Sequence, residues 1–118
     1  MNKQAAKFFM GLLNAATVAH ILHLQTRSFA QHMALNEFYQ AMPELVDAVI
    51  EAYQGKYGIV DGYPATISIP KDPITFITDF SSFVATYRDI CEDSEIQNLI
   101  DEVADQIDST MYKLKFLS

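Results

Sequence analysis

Cysteine is almost missing from this chain. Cys91 stands alone, so no disulfide can close within the sequence, and a small domain without that staple must hold together by its core. A reducing cytoplasm is the natural home of such a chain. Glycine and proline are also scarce. Four of each in 118 residues are too few for the many turns of a sandwich or barrel. Positive charge is in short supply, with eight Lys and Arg against fifteen Asp and Glu, for a net charge of −7. Nucleic-acid backbones attract cations, so this surface is expected to repel them, and no basic tail offsets the repulsion. No uninterrupted apolar run approaches the roughly 20 residues of a membrane span, so no membrane partner is expected. Lys3 and Lys7 ahead of the apolar residues 8–19 loosely imitate a signal peptide, but Asn14 interrupts the run, and the reading is a helix of the mature domain.

Apolar residues make up half of the chain, with eight Phe and six Tyr among them, which argues against disorder. The length suits a single domain covering residues 1–118. Four segments carry helical periodicity. In residues 3–26, Phe9, Leu12, Leu13, Ala16, Ala19, His20 and His23 follow the three-and-four spacing of one face. Met10, Val18, Ile21 and Leu22 make the other side apolar too, which predicts partners on two sides. In residues 31–54, Leu35, Phe38, Met42, Leu45, Val46, Val49 and Tyr53 form a core stripe, and Pro43 predicts a kink or break. Residues 55–71 are aperiodic, punctuated by Gly and Pro, and predict a long crossover with an extended fragment at 66–69. Asp72-Pro73 then reads as N-cap and first helical position. Phe76, Ile77, Phe80, Phe83, Val84, Tyr87 and Ile90 stripe the third helix. After a tight turn at 92–94, Ile96, Leu99, Ile100, Val103, Ile107, Met111 and Leu114 stripe the fourth, with Asp101, Glu102, Asp105 and Asp108 outside. The expected fold is all-α, a ferritin-like four-helix bundle with one long crossover between helices 2 and 3.

The three His of the sequence, His20, His23 and His32, fall in the first helical hairpin, and Glu44, Asp47 and Glu51 follow them. Asp47 and Glu51 are four apart and project from the same side of one helix. Imidazole with carboxylate is a mixed nitrogen and oxygen donor set that suits iron, manganese or zinc. The same residues also admit plainer readings, a packed histidine on an apolar face and a solvated acidic stripe.

The run AHILHLQTRSFAQHMALNEFYQAMPELVDAVIEAY resembles the first two helices of the mini-ferritins, the Dps proteins that protect DNA in starved bacteria. The closing segment DSEIQNLIDEVADQIDSTMYKLKFLS is more weakly similar to the last helix of that family. Aligned without a gap, the resemblance implies a ferroxidase site of His20, His32, Asp47 and Glu51, with the His from one subunit and the acids from its twofold partner. It further implies Fe(II) oxidation by peroxide or oxygen, storage of the ferric product, and a homo-oligomer of at least a dimer. The sequence departs from the family at Asn36, where many members carry a further acidic ligand, and at Leu24, which replaces a frequent Trp. The basic tail of DNA-binding members is also lacking. Two rivals stand beside this reading. One is a non-enzymatic interaction module whose acidic exterior meets a basic protein or imitates nucleic acid. The other is a structural site, with zinc at the same ligands stapling a dimer.

Overall fold

The computed structural model describes residues 3–65 and 67–117. They form four helices, α1 (Lys3–Gln25), α2 (Phe29–Tyr57), α3 (Pro73–Tyr87) and α4 (Ser94–Phe116), with no strand among the described residues, an arrangement that fits a helical bundle. Thr66, at the head of the fragment expected to be extended, lies outside the described residues, and residues 67–69 carry no regular structure.

Local chemistry sets the helix ends. Ser28 sits in extended backbone before α2 and its hydroxyl accepts from the Gln31 amide, taking up one of the helix's orphan donors. Asp72 does the same for α3, accepting from the Thr75 amide and hydroxyl at 2.8 Å each, with Pro73 next in line where a missing N–H costs nothing. At the far end of α2, Gly58 takes a φ of 96°, a left-handed value that suits glycine, and its amide closes on the Gln54 carbonyl at 2.9 Å.

Contacts between helix ends fix their directions. Lys56, late in α2, pairs with Asp93 and Glu95 at the start of α4 at 2.7 and 3.4 Å, while Glu37, early in α2, pairs with Lys113, late in α4. Those two helices are therefore antiparallel. Lys7, early in α1, donates to the Tyr87 hydroxyl at the end of α3 at 2.9 Å, so α1 and α3 are antiparallel as well. α1 and α2 form a hairpin through a three-residue link, so α2 and α3 run in the same direction. Residues 58–72 must then travel back along the molecule, whose long axis is 43 Å. Fifteen extended residues reach about 50 Å, which suffices. Gly62 and Pro64 border Lys3, Lys7 and Gly11, while Ser68 and Pro70 border Ala15, Val18 and Phe76, so the connection lies over the seam between α1 and α3. Val60, 4% exposed, anchors its beginning.

The core is continuous through all four helices, with Phe8, Phe9, Leu12, Leu35, Phe38, Met42, Ile77 and Ile100 all at 0% exposure. Burying a side chain of this size contributes about 1.5–3 kcal/mol. Gly11 shapes the α1–α3 contact, because a Cβ there would stand 2.2 Å from the Phe83 ring. Without one, Phe83 lies close to α1 and stacks on Phe8 with ring centroids 6.0 Å apart.

Three expectations need correction. The core face of α1 is rotated from the one read off the sequence: Leu13 and His20 are exposed, while Phe8, Val18 and Leu22 are buried. Because α1 is apolar on most sides, spacing alone could not select the face. Pro43 does not break α2, which runs on through it. Pro43 faces solvent, so the Tyr39 carbonyl that loses its helical donor can be met by water. Finally, α1 is by length and composition long and apolar enough to cross a membrane, although half of its apolar window is buried among the other helices.

A polar knot joins the end of α2 to the start of α4. Asp93 precedes α4, yet its carboxylate does not cap that helix. Lys56 and the Tyr57 hydroxyl hold it instead. The Lys56 hydrogen bond, followed by that of Tyr57, lowers the Asp93 carboxyl to about 2. The bond to Asp93 also raises the Tyr57 phenol to about 12. A carboxyl depressed in the folded state stabilises above its unfolded value, near 3.9, and that contribution disappears as pH falls toward the folded value. Asp93→Asn is therefore expected to unfold at lower urea than wild type at pH 7, with the gap closing between about pH 4 and pH 2. A gap that stayed constant down to pH 2 would remove the knot as its cause.

Candidate functional site

All three histidines meet where α1 ends and α2 begins. The link between the helices is held by short polar contacts. The Thr26 hydroxyl donates to the Gln31 side-chain oxygen at 2.5 Å, and the Ser28 amide donates to the Thr26 hydroxyl at 3.2 Å. This tight link sets the last turn of α1 beside the first turn of α2, and His23 and His32 then tie the two turns together. His23 Nδ1 donates to the His32 carbonyl at 2.8 Å, and His32 Nδ1 donates to the His23 carbonyl at 3.0 Å. The second bond satisfies a carbonyl in the last turn of α1, one that no intrahelical amide reaches.

The reciprocal pair fixes the chemistry of both rings. A carbonyl oxygen only accepts, so each Nδ1 must carry its proton, and Nε2 is the nitrogen left with a lone pair in the neutral ring. An Nδ1–H bonded to a carbonyl is also the support that metal-ligating histidines usually have. The two rings stack with centroids 3.7 Å apart and planes 21° apart. His23 is 7% exposed. His20, one turn earlier on α1, is exposed and lies flat on Tyr39 at 4.0 Å with only 7° between the planes. Its ring centroid is 6.0 Å from that of His23. Tyr39 also meets His23 edge-on at 5.2 Å and so completes the cluster. No sequence spacing singled out Tyr39; a tyrosine seven residues after His32 has no signature until the hairpin is folded.

The acids lie elsewhere on α2. Asp47 and Glu51 are exposed and enter none of the ion pairs found among the described residues, and Glu44 beside them is in the same position. Asp47 is eight residues past Tyr39, or about 12 Å along the helix at 1.5 Å per residue. It is fifteen residues past His32, or about 22 Å. One chain therefore brings His20, His23 and His32 together but leaves Asp47 and Glu51 apart from them. Among the described residues, no group of three or more His, Cys, Asp or Glu is placed to hold a metal ion.

The sequence pattern of a family of unknown function, DUF5856, matches residues 23–114, from His23 to Leu114. The chain is also 30% identical over 115 residues to a protein of Enterobacteria phage T4 described as an uncharacterized 14.6 kDa protein in the mobD-ri intergenic region. That similarity covers 92% of this chain and 84% of the phage protein. No solved structure matches the chain.

Proposed function

This chain belongs to DUF5856, a family of unknown function, and we propose that its copies pair to bind Fe(II) as substrate between His20 and His32 of one copy and Asp47 and Glu51 of the other. The observation that carries this reading is the division of the donors on one outer face of α1 and α2. The histidines gather around the α1–α2 link, and Asp47 and Glu51, in no ion pair among the described residues, stand about two and three turns past Tyr39 and about four and five turns past His32 along α2. A twofold axis crossing α2 near Pro43 exchanges the levels of residues 39 and 47. It sets the partner's Asp47 beside Tyr39 and His20. The partner's Glu51 comes to the level of residue 35, one turn from His32.

The ferritin-like reading of the fold draws support from the helix directions. Two antiparallel hairpins joined by one connection that travels the length of the molecule is the arrangement expected of that architecture. With iron bound, Asp47 and Glu51 would supply negative charge and bridging oxygens, and His20 and His32 neutral nitrogen. Each Fe(II) can give up one electron. Hydrogen peroxide takes two electrons and two protons and leaves as two waters, so two bound ferrous ions match one peroxide. Zinc or manganese would suit the same donors without that chemistry.

Anaerobic calorimetric titration of the intact protein with Fe(II), with its mass followed by light scattering, tests this reading. Saturable binding near one or two ions per site, with the loaded protein at least a dimer, is the expected result. Absence of binding to Fe(II), Mn(II) and Zn(II) alike would overturn it. The unpaired acids of α2, with Glu102, Asp105 and Asp108 exposed on α4, would then favour the interaction-module reading, an acidic surface for a basic protein.

A further inference from the structure

The seam between α1 and α3 is not filled where the 58–72 connection crosses it. An open cleft of about 460 Å³ lies between Lys3, Lys7 and Met10 of α1, the Phe83 ring of α3, and Gly62 and Pro64 of the connection. A second cleft of about 210 Å³ shares Gly11 and Phe83 with the first and continues past Ala15 and Val18 to Phe80 and Asp79. Gly11 borders both and offers no side chain to block the passage between them. From Lys7 to Val18 the path follows about 16 Å of helix. Clefts of this order hold small ligands.

The two ends of the path differ in charge. Lys3 and Lys7 stand one turn apart on α1, and no acid lines the first cleft among the described residues. Neither lysine enters an ion pair among those residues, although the chain has fifteen acids to eight Lys and Arg. Like charges at this spacing on a helix repel each other, and an anion between them relieves the repulsion. Lys7 is also held in place. Its Nζ donates to the Tyr87 hydroxyl at 2.9 Å and stands 4.6 Å from the centre of the same ring. An ammonium has three donors, so Lys7 has two more to give. At the other end the exposed Asp79 carries the opposite charge.

We propose that this seam binds a linear carboxylate with an apolar tail, a molecule of the medium-chain fatty-acid class. The head pairs with Lys3 and Lys7, and the tail lies over Gly11 and Phe83 and on toward Val18 and Phe80. Charge fixes the direction, because Asp79 repels a carboxylate and the two lysines repel a cationic head.

The proposal does not rest on the metal reading, so its test runs with a chelator present. The intact protein is titrated calorimetrically at pH 7 and low salt with octanoate, decanoate and octylammonium, each below its micelle threshold. Decanoate is expected to bind saturably, roughly tenfold tighter than octanoate, since each buried methylene contributes about fourfold. Octylammonium has a tail like that of octanoate and the opposite charge, and is expected not to bind. Lys3→Gln and Lys7→Gln change exposed side chains, and each is expected to weaken decanoate binding about fivefold, with an unchanged circular dichroism spectrum. Leu117→Glu alters a separate apolar groove where α2 starts and α4 stops, and should leave decanoate binding as it is. Absence of saturable decanoate binding overturns the proposal. So does equal affinity in wild type and the variant carrying both lysine changes, or octylammonium binding as tightly as octanoate. Binding lost in Leu117→Glu but kept in the lysine variants would place the anion in the other groove and overturn it as well.

Discussion

Asp47→Asn is expected to weaken the proposed Fe(II) binding by at least the roughly 10–100-fold that is typical when even an indirect support of a metal ligand is removed. The substitution keeps the size and one oxygen donor but deletes the negative charge and a bridging oxygen, so the cation loses Coulomb attraction as well as a contact. Folding should be nearly indifferent, because Asp47 is exposed and enters no ion pair among the described residues. Changes at such positions usually stay within about 0.5 kcal/mol. His20→Ala should reproduce the loss of binding with a mild effect on stability, since the stack on Tyr39 is the main contact it removes. His23→Ala separates the roles differently. Its ring is buried and its Nδ1–H bonds the His32 carbonyl, so its loss should lower stability more than His20→Ala does. His32 keeps its own bond to the backbone carbonyl of residue 23 and with it the lone pair on Nε2. Bound metal should raise the melting temperature of wild type, because a ligand at a hundred times its dissociation constant adds about 2.7 kcal/mol. Equal Fe(II) affinity in wild type and Asp47→Asn would end the metal reading.

What was legible in the sequence follows from how one-sided each helix is. α4 has a narrow apolar stripe opposite acids. Its predicted core residues Ile96, Ile100, Val103, Ile107 and Leu114 are buried, and Asp105 and Asp108 are exposed. α3 was readable at its start, because Asp72-Pro73 is a local signal that needs no tertiary context. α1 was readable as a helix but not in its orientation, since apolar residues surround it and only the packing of α2, α3 and the connection chooses a face. The break expected at Pro43 does not occur, because the rule behind it concerns a lost hydrogen bond, and on an outward face water can replace that bond. Thr110 was missed for a related reason. It is 1% exposed and satisfies its hydroxyl by donating back to the Gln106 carbonyl at 2.8 Å, an arrangement that hides a polar residue in the core without a partner from another helix.

The candidate site was legible only in part, and for a geometric reason. The sequence placed three histidines in one hairpin, and the structure brings them together. Spacing could not reveal that His23 and His32 lock each other through backbone carbonyls, because that depends on the length of the link and the crossing of two helices. The separation of the histidines from Asp47 and Glu51 along α2 is, by contrast, plain arithmetic on a helix of 1.5 Å per residue, and it makes a second copy a condition of any site that uses all four.

Phe38→Ala is expected to cost about 3–5 kcal/mol, a large share of the 5–15 kcal/mol that holds a domain of this size together. Phe38 is fully buried on α2 and meets Phe76 and Phe80 of α3 edge-on, at 5.8 and 6.2 Å between ring centroids. Those two rings stack on each other at 6.0 Å, so Phe38 closes a three-ring cluster across the bundle. Closer backbone contacts join α1 to α2 and α3, and α4 to α2 and α3, which leaves α2 and α3 as a diagonal pair bridged by side chains. Removing the ring opens a cavity that neither helix can close without drawing away from its own neighbours, and the edge-to-face contacts are lost with it. Phe38→Leu should cost less than half as much, because most of the volume remains. In urea melts both variants should lower the midpoint with an unchanged slope, the signature of lost stability in an unchanged fold. An effect below about 1 kcal/mol for Phe38→Ala would mean that the diagonal is already loose. Set beside Asp47→Asn, the variant separates scaffold from site: Phe38→Ala should weaken folding while the protein that remains folded still binds Fe(II), and Asp47→Asn should do the reverse.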